Sequence, residues 1–290
     1  MKEKAVVLYS GGLDSRLVAK ILEEQGLEIE LLFFQLPFSC SCNNLKGFED
    51  NLKIIDCTKG ILFKEYMSFL KNPKHKTGKG VNPCIDCKIF MFRKAKEYAE
   101  KHKIKIIASG EVLNERPMSQ KINSLKIIEK ESGCEILRPL SAKLLDETSY
   151  EKNNLVDRRK FYSIRGKQRN IQIKLAERYD IKFPTPSGGC FLCEKAVKKR
   201  MKMLLEKNFL DEENFILARI GKHFVINGSW FVVSRNEKES IIIEKFRTSL
   251  ESDIKTPTVF YNNENMKETA EKIREAFFKK ESAKFSDYKI

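Results

Sequence analysis

The first third of the chain alternates short apolar runs with stretches whose apolar residues recur at helical spacing. Lys4 to Tyr9 reads K-A-V-V-L-Y, a buried-strand run, and a Ser-Gly-Gly turn follows it. From Leu13 to Gln25, the residues Leu13, Leu17, Val18, Ile21 and Leu22 fall on one helical face, and Gly26 ends the segment. Ile29 to Phe34 and Leu52 to Cys57 are strand-like, and Ile61 to Leu70 is helical. A long helix is expected from about Cys84 to His102, and Lys105 to Ser109 is a further buried strand. Strands spaced by helices of this length predict an α/β fold, a parallel sheet flanked by helices on both faces. In such sheets a ligand sits at the carboxyl ends of the strands.

The pattern then changes. Thr148 to Lys174 is basic, with Phe161 and Tyr162 set between the charges, and reads as a surface-facing helical segment. Lys195 to Lys207 is a basic amphipathic helix with Val197, Met201, Leu204 and Leu205 on its apolar side. Beyond Asn208 come alternating runs such as F-V-I-N-G-S-W-F-V-V and a charged helix around Met266 to Lys280, which predict a small C-terminal α+β domain. The expected organisation is a nucleotide-binding domain over 1–194, a connector over 195–207 and a second domain over 208–290. The chain holds no internal repeat and no low-complexity tract.

Composition narrows the function classes. With 290 residues, 41% of them hydrophobic, the chain is large enough for a sizeable core and about two domains. No apolar run approaches the roughly 18 residues of a membrane helix. The N-terminus passes straight into a strand, with no signal peptide pattern. A soluble cytoplasmic protein with no membrane partner is expected. Fifty-five basic against 40 acidic side chains give a net charge of +15, which suits a polyanion such as nucleic acid; a lysine-rich composition in general is the plain alternative. Of eight cysteines, four form two C-x-x-C pairs, Cys84/Cys87 and Cys190/Cys193. Structural disulfides are not expected in the cytosol, and Cys40, Cys42, Cys57 and Cys134 read as small buried or neutral side chains.

Ser10-Gly11-Gly12-Leu13-Asp14-Ser15 lies between a buried strand and a helix. Glycines let the backbone approach an anion, and the amides of the turn and helix start supply donors for phosphate. Ser10 and Ser15 add hydroxyls, and Asp14 falls in the first helical turn, where it can cap amides or help to hold a magnesium–pyrophosphate unit. A capped Gly-Gly turn is the plain alternative. The run resembles the S-G-G-x-D-S mark of the PP-loop ATP pyrophosphatases, which split ATP between its α and β phosphates and transfer AMP to an oxygen. The resemblance implies a PP-loop fold, ATP and Mg2+ as cofactors, and pyrophosphate cradled by Ser10, Gly11, Gly12, Asp14 and Ser15. It further implies adenine beside Phe33 to Gln35, with Phe34 and Gly110 close to the nucleotide.

Asn82-Pro83-Cys84-Ile85-Asp86-Cys87-Lys88 opens the long helix, and Ser187-Gly188-Gly189-Cys190-Phe191-Leu192-Cys193 lies far downstream. A cysteine at a helix N-terminus is expected to have a lowered pKa, as a nucleophile or metal ligand does. The two segments resemble the N-P-x-x-x-C-N and G-x-C-F elements of bacterial tRNA 2-thiouridylases, which implies that Cys87 and Cys190 handle sulfur. Related tRNA thiolases hold a [4Fe–4S] cluster through three such positions, which would make Cys84, Cys87 and Cys190 its ligands. Lys88 stands where that family has Asn, and Cys193 is additional. A persulfide or disulfide pair and a structural zinc site are the other uses of these thiols. His75 reads as an exposed loop histidine.

Arg116, after the strand-ending Ala108-Ser109-Gly110-Glu111, is a candidate phosphate contact or a solvated side chain. Arg165, Lys167 and Arg169 form a candidate RNA-backbone patch. Farther on, Gly221-Lys222-His223-Phe224 and Val233-Ser234-Arg235-Asn236-Glu237 resemble the G-R-H-F and V-G-R-N-E-x-E-N elements of the NFACT RNA-binding module. Ser234 replaces its Gly and Ser240 its last Asn. That resemblance implies RNA contact by Lys222, His223 and Arg235, with Trp230 and Phe231 either stacking on bases or forming a small core. Together these resemblances imply a tRNA sulfurtransferase, with tRNA as partner and a persulfide carrier protein or sulfide as sulfur donor. An amide-forming PP-loop ligase and a nucleotide-binding RNA factor without catalysis are the alternatives.

Overall fold

The computed structural model describes residues 2–39, 51–183, 190–250 and 256–290. Its first sheet contains β1 (Lys4–Leu8), β2 (Glu28–Gln35), β3 (Leu52–Asp56) and β4 (Ile106–Ser109) in the order β3-β2-β1-β4. Every pairing is parallel, with Val6 of β1 opposite Glu30 of β2 and Ile107 of β4. Between the strands run α1 (Leu13–Glu23), α2 (Gly60–Lys71) and α3 (Cys84–Lys101), and after the sheet come α4 (Ile122–Ser132), α5 (Ser149–Lys152) and α6 (Asn170–Arg178). Ala5, Val6 and Val7 are fully buried. Side chains alternate along a strand, so both faces of β1 are covered, as a central parallel strand requires. Ala5 and Val7 pack with Leu17, Val18 and Leu22 of α1 and with Leu175 and Ala176 of α6. Helix α3 lies against β1 and β4. The expected parallel sheet flanked by helices is found.

The segment from Thr148 to Lys174 is not one surface helix. It holds α5, a single 3₁₀ turn (Arg158–Lys160) and the start of α6. Phe161 is 1% exposed and joins the main core, while Tyr162 packs at its margin. Backbone bonds from Tyr162 N to Pro139 O and from Ile164 N to Leu140 O hold the chain against the sheet domain, and this turns the Phe161 ring inward despite the flanking charges.

The later part contains α7 (Lys198–Glu206), β5 (Lys222–Ile226), β6 (Ser229–Val233), α8 (Glu237–Ile243), β7 (Ser249–Leu250), β8 (Val259–Tyr261) and α9 (Lys267–Phe278). Its sheet is antiparallel with the order β5-β6-β8-β7. Phe224, Phe231, Val233, Tyr261 and Ile273 fill the core beneath it. By internal contacts the chain divides into two compact units, residues 1–78 with 82–193 and residues 79–81 with 194–290. Among the described residues no helix is long and apolar enough to cross a membrane.

Candidate functional site

The phosphate-loop residues sit where β1 gives way to α1. Ser15 Oγ donates to Gly12 O at 2.9 Å and accepts from Ser10 N at 3.3 Å, while Gly12 N donates to Ser10 Oγ at 3.4 Å. Gly12 begins α1 without a side-chain cap, so the first amides of the helix keep their capacity to bind an anion. Gly110, just past β4, presses on this turn. A Cβ there would lie 2.7 Å from Asp14 C and 2.7 Å from Ser15 N, so only glycine lets β4 end against the loop. Phe34, at the end of β2, is buried and Phe33 half-buried.

Asp14 is largely enclosed. Burial, reinforced by Glu115, raises its pKa to about 6 against the opposing charges of Arg169 and Arg116. Arg169 Nη2 stands 3.8 Å from Asp14 Oδ2 and 3.2 Å from Glu115 Oε1. Asp14 Oδ1 is buried without a well-formed hydrogen bond, since the nearby Gln172 amide misses that geometry. A buried carboxylate oxygen lacking a partner fits a hard cation such as Mg2+. Arg169 is therefore engaged with Asp14 and Glu115 rather than free on the surface, whereas Arg165 and Lys167 are exposed.

The two cysteine pairs come together. Helix α3 starts at Cys84, whose Sγ accepts from the Asn82 amide at 3.0 Å. Cys190 Sγ donates to Phe38 O, just after β2, at 3.5 Å. Tyr66 of α2 lies among them: burial, then the thiols of Cys87, Cys190, Cys57 and Cys84, push its phenol pKa well up. Cys193 lies close enough to Cys190 and Cys84 for the three thiols to perturb one another. The expected low thiol pKa is not found. The contact with Cys193 and then burial push Cys84 far up, and burial pushes Cys87 up to about 12. Enclosure beside other thiols outweighs the helix N-terminus. Among the described residues no three His, Cys, Asp or Glu side chains converge as a metal site. Cys57 and Cys134 are buried, as expected, and Cys40 and Cys42 lie outside the described residues.

Three ionic features of this region were not apparent from motifs. Lys88 Nζ is 3.3 Å from Glu111 Oε1, and Arg138 Nε is 3.1 Å from Glu111 Oε2. Burial acts against the Glu111 charge, yet Lys88 and Arg138 hold its pKa below the usual value. Asp86, between the first two cysteines, accepts from Lys74 N at 3.1 Å and His75 N at 3.2 Å. His75 is not an exposed loop residue: its ring bridges Asp86 Oδ1 and Glu131 Oε1, each at 3.2 Å. Exposed Arg116 places its charge within reach of both Asp14 and Cys193. The sequence signals for any of this were Lys88 standing in place of Asn and Arg116 as a candidate phosphate contact.

In the second unit, Lys222 and Arg235 are exposed. Lys222 Nζ lies 5.0 Å from the Phe277 ring centre, and Arg235 Nε donates to Glu239 Oε1 at 2.9 Å. His223 is 1% exposed, and its Nδ1 accepts from Trp230 Nε1 at 3.1 Å. Burial, then the Arg200 charge, lowers its pKa to about 3, so it is a neutral core residue and not an RNA contact. Trp230 and Phe231 are fully buried, which rules them out as stacking platforms for bases as they stand. The two serines that depart from the NFACT pattern meet: Ser240 Oγ donates to Ser234 Oγ at 2.9 Å, and Ser234 Oγ accepts from Thr258 N at 3.0 Å. Gly221 has φ +75°, and a Cβ there would reach Val232 Cγ1 at 2.6 Å.

Residues 1–156, more than half of the chain, match the family described as thiamine biosynthesis protein (ThiI). The chain belongs to the ThiI family. A probable tRNA sulfurtransferase of Acholeplasma laidlawii is 26% identical to this ThiI-family chain over 166 residues, 53% of this chain and 36% of that protein. A tRNA-specific 2-thiouridylase, MnmA 1, of Aliarcobacter butzleri is 30% identical over 123 residues, 38% and 34% of the two. The chain spans about a third of the length of these curated relatives. A solved 4-thiouridine synthetase–RNA complex with bound ATP shares 20% identity, covering 74% of this chain and 53% of the other, at a TM-score of 0.40.

Proposed function

We propose that this chain is an ATP-dependent tRNA sulfurtransferase. A uridine carbonyl oxygen attacks the α-phosphate of ATP and pyrophosphate leaves. Sulfur then adds to the activated carbon, AMP departs and thiouridine remains. The observation that carries this reading is the meeting of two chemistries at the carboxyl end of one sheet. Gly110 rests on the phosphate loop, and the next residue, Glu111, is ion-paired to Lys88, one residue after Cys87. ThiI-family membership and the names of the two curated relatives support the same chemistry. An amide-forming ligase, or an RNA factor that binds nucleotide without catalysis, has no use for four thiols gathered there.

In this reading Ser10, Gly11, Gly12 and Ser15 cradle the pyrophosphate, and Phe34 and Gly110 border the nucleotide. Asp14 would hold Mg2+, which neutralises charge on the phosphates. Cys87 and Cys190 handle the sulfur. In place of persulfide chemistry, Cys84, Cys87 and Cys190 are of the soft donor type that takes a [4Fe–4S] cluster, which would supply an iron site for sulfide. tRNA binding is assigned to Arg165, Lys167 and an NFACT-like domain over 208–290, joined to a thiolase domain over 1–194 by a connector over 195–207. A cytoplasmic location and a persulfide carrier or sulfide as donor complete the proposal. Mass spectrometry of tRNA nucleosides from cells lacking the gene tests it. Loss of one thiolated nucleoside is expected, and an unchanged set would refute the reading.

A further inference from the structure

Of the four motif cysteines, Cys193 alone is exposed, while Cys84, Cys87 and Cys190 are half-buried. The 3₁₀ turn Phe191–Cys193 folds it back over Cys190, with Cys193 N donating to Cys190 O at 2.8 Å. Its side chain lies beside those of Cys190 and Cys84. Cys190, by contrast, is directed at Phe38 O, beside the enclosed Tyr66. The exposed thiol thus stands between solvent and the half-buried pair. A cysteine that only filled space would be covered, as Cys57 and Cys134 are.

We propose that Cys193 is the receiving thiol of the site, taking sulfane sulfur from a hydropersulfide donor at the surface and passing it to Cys190. The inference rests on the sulfur-transfer reading above. In the first step the Cys193 thiolate attacks the terminal sulfur of R–S–SH. The donor's S–S bond breaks, R–S⁻ leaves with the electron pair, and Cys193–S–SH forms. In the second, the Cys190 thiolate attacks the terminal sulfur of that persulfide. The new S–S bond replaces the old one, and the Cys193 thiolate is regenerated. The proton lost by each attacking thiol ends on the departing thiolate, so neither step requires an outside oxidant or reductant.

The test uses the full chain with glutathione hydropersulfide under anaerobic conditions, brief mixing, alkylation and peptide mass spectrometry. The added sulfur should be found on Cys190 in the unaltered chain and should accumulate on Cys193 in Cys190→Ser. In both Cys193→Ser and Cys193→Ala, the rate of loading Cys190 should fall about tenfold, because the remaining thiol is half-buried and less accessible to the donor. Cys190 loading at an undiminished rate in both variants would overturn the relay, as would a Cys193 that never carries sulfur in Cys190→Ser. So would tightly bound iron that is lost in Cys190→Ser, because a Cys190 that ligates iron is not free to take sulfur. tRNA thiolation measured alongside separates the two ideas. Relay without thiolation sinks the function and not the relay, and thiolation with Cys190 loaded normally in both Cys193 variants does the reverse.

Discussion

Lys88 Nζ and Glu111 Oε1 lie 3.3 Å apart, and this pair joins the helix that carries Cys84 and Cys87 to the strand end that rests on the phosphate loop. Glu111 is 3% exposed and also binds the buried Arg138 guanidinium at 3.1 Å. Breaking a buried pair from one side leaves an uncompensated charge, so Glu111→Gln should cost about 3 kcal/mol of stability. Lys88→Ala, at a partly exposed head group, should cost about 1 kcal/mol. Urea denaturation of both variants checks the ordering. Equal effects would mean that Lys88 is as confined as Arg138.

Asp14 gives a pH signature. Its pKa is near 4 in an unfolded chain and about 6 here, raised by burial and Glu115 against Arg169 and Arg116. The folded state therefore holds the proton more tightly. The contribution is favourable below the unfolded value and is lost as pH rises through about 6. Asp14→Asn, which is neutral at every pH, should stabilise the fold at pH 7.5 by on the order of 2 kcal/mol, and by much less at pH 4. The same change should abolish ATP-dependent pyrophosphate release. Thermal unfolding at the two pH values, with a pyrophosphate assay, decides it; a destabilised Asp14→Asn at pH 7.5 would contradict the assignment.

The sheet, its flanking helices and the phosphate loop were legible because periodicity and a contiguous loop are local properties. Cys84 at a helix start and Ser10 to Ser15 at a strand end needed no knowledge of tertiary contacts. What escaped was environment. Phe161 sits among charges in sequence but in the core in space, and Trp230 and Phe231 resemble a stacking platform only until the antiparallel sheet covers them. The thiol pKa values went the opposite way from the helix-terminus expectation because the neighbours that enclose Cys84 and Cys87 come from more than a hundred residues downstream and from α2. His75 bridging Asp86 and Glu131 likewise joins three separate segments.

Exposure sorts the RNA candidates. Arg165, Lys167 and Lys222 are exposed, whereas Arg169 is engaged with Asp14 and Glu115 and His223 is buried. The double variant Arg165→Ala/Lys167→Ala should weaken tRNA binding and flatten its dependence on log salt concentration by about 1.5, because each lost phosphate contact removes roughly 0.7–0.9 of slope. His223→Ala should lower stability and leave that slope unchanged. Filter binding over a salt series reads both, and an unaltered slope in the double variant would remove this patch from the interface.

Iron content tests the soft-donor reading of the thiols. If the thiols hold a cluster in place of carrying persulfide sulfur, protein handled without oxygen and supplied with iron and sulfide should retain about four iron atoms per chain. Cys84→Ser, Cys87→Ser and Cys190→Ser should each lose them, while Cys134→Ser, buried apart from the motif cysteines, should not. Colourless protein holding a single zinc would instead make the two C-x-x-C pairs structural.

Gly110 offers the sharpest separation of fold from function. Its neighbours at the position of an added Cβ are main-chain atoms, Asp14 C and Ser15 N at 2.7 Å and Asp14 O at 3.0 Å, so no side chain can rotate away. Alanine at 110 must push either the end of β4 or the first turn of α1. Overpacking of this kind costs about 1–3 kcal/mol, which a core including Val7, Leu17 and Ala108 can tolerate. The phosphate loop is less forgiving, because Ser10, Gly12 and Ser15 hold one another through three hydrogen bonds of 2.9–3.4 Å and the first helix amides must all face one anion. A shift of a few tenths of an ångström there should weaken ATP binding at least about tenfold, near 1.4 kcal/mol, with the chain still folded. Calorimetric titration with ATP beside a thermal melt reads the two effects separately. Unchanged ATP affinity in a folded Gly110→Ala protein would show that the nucleotide does not use this loop.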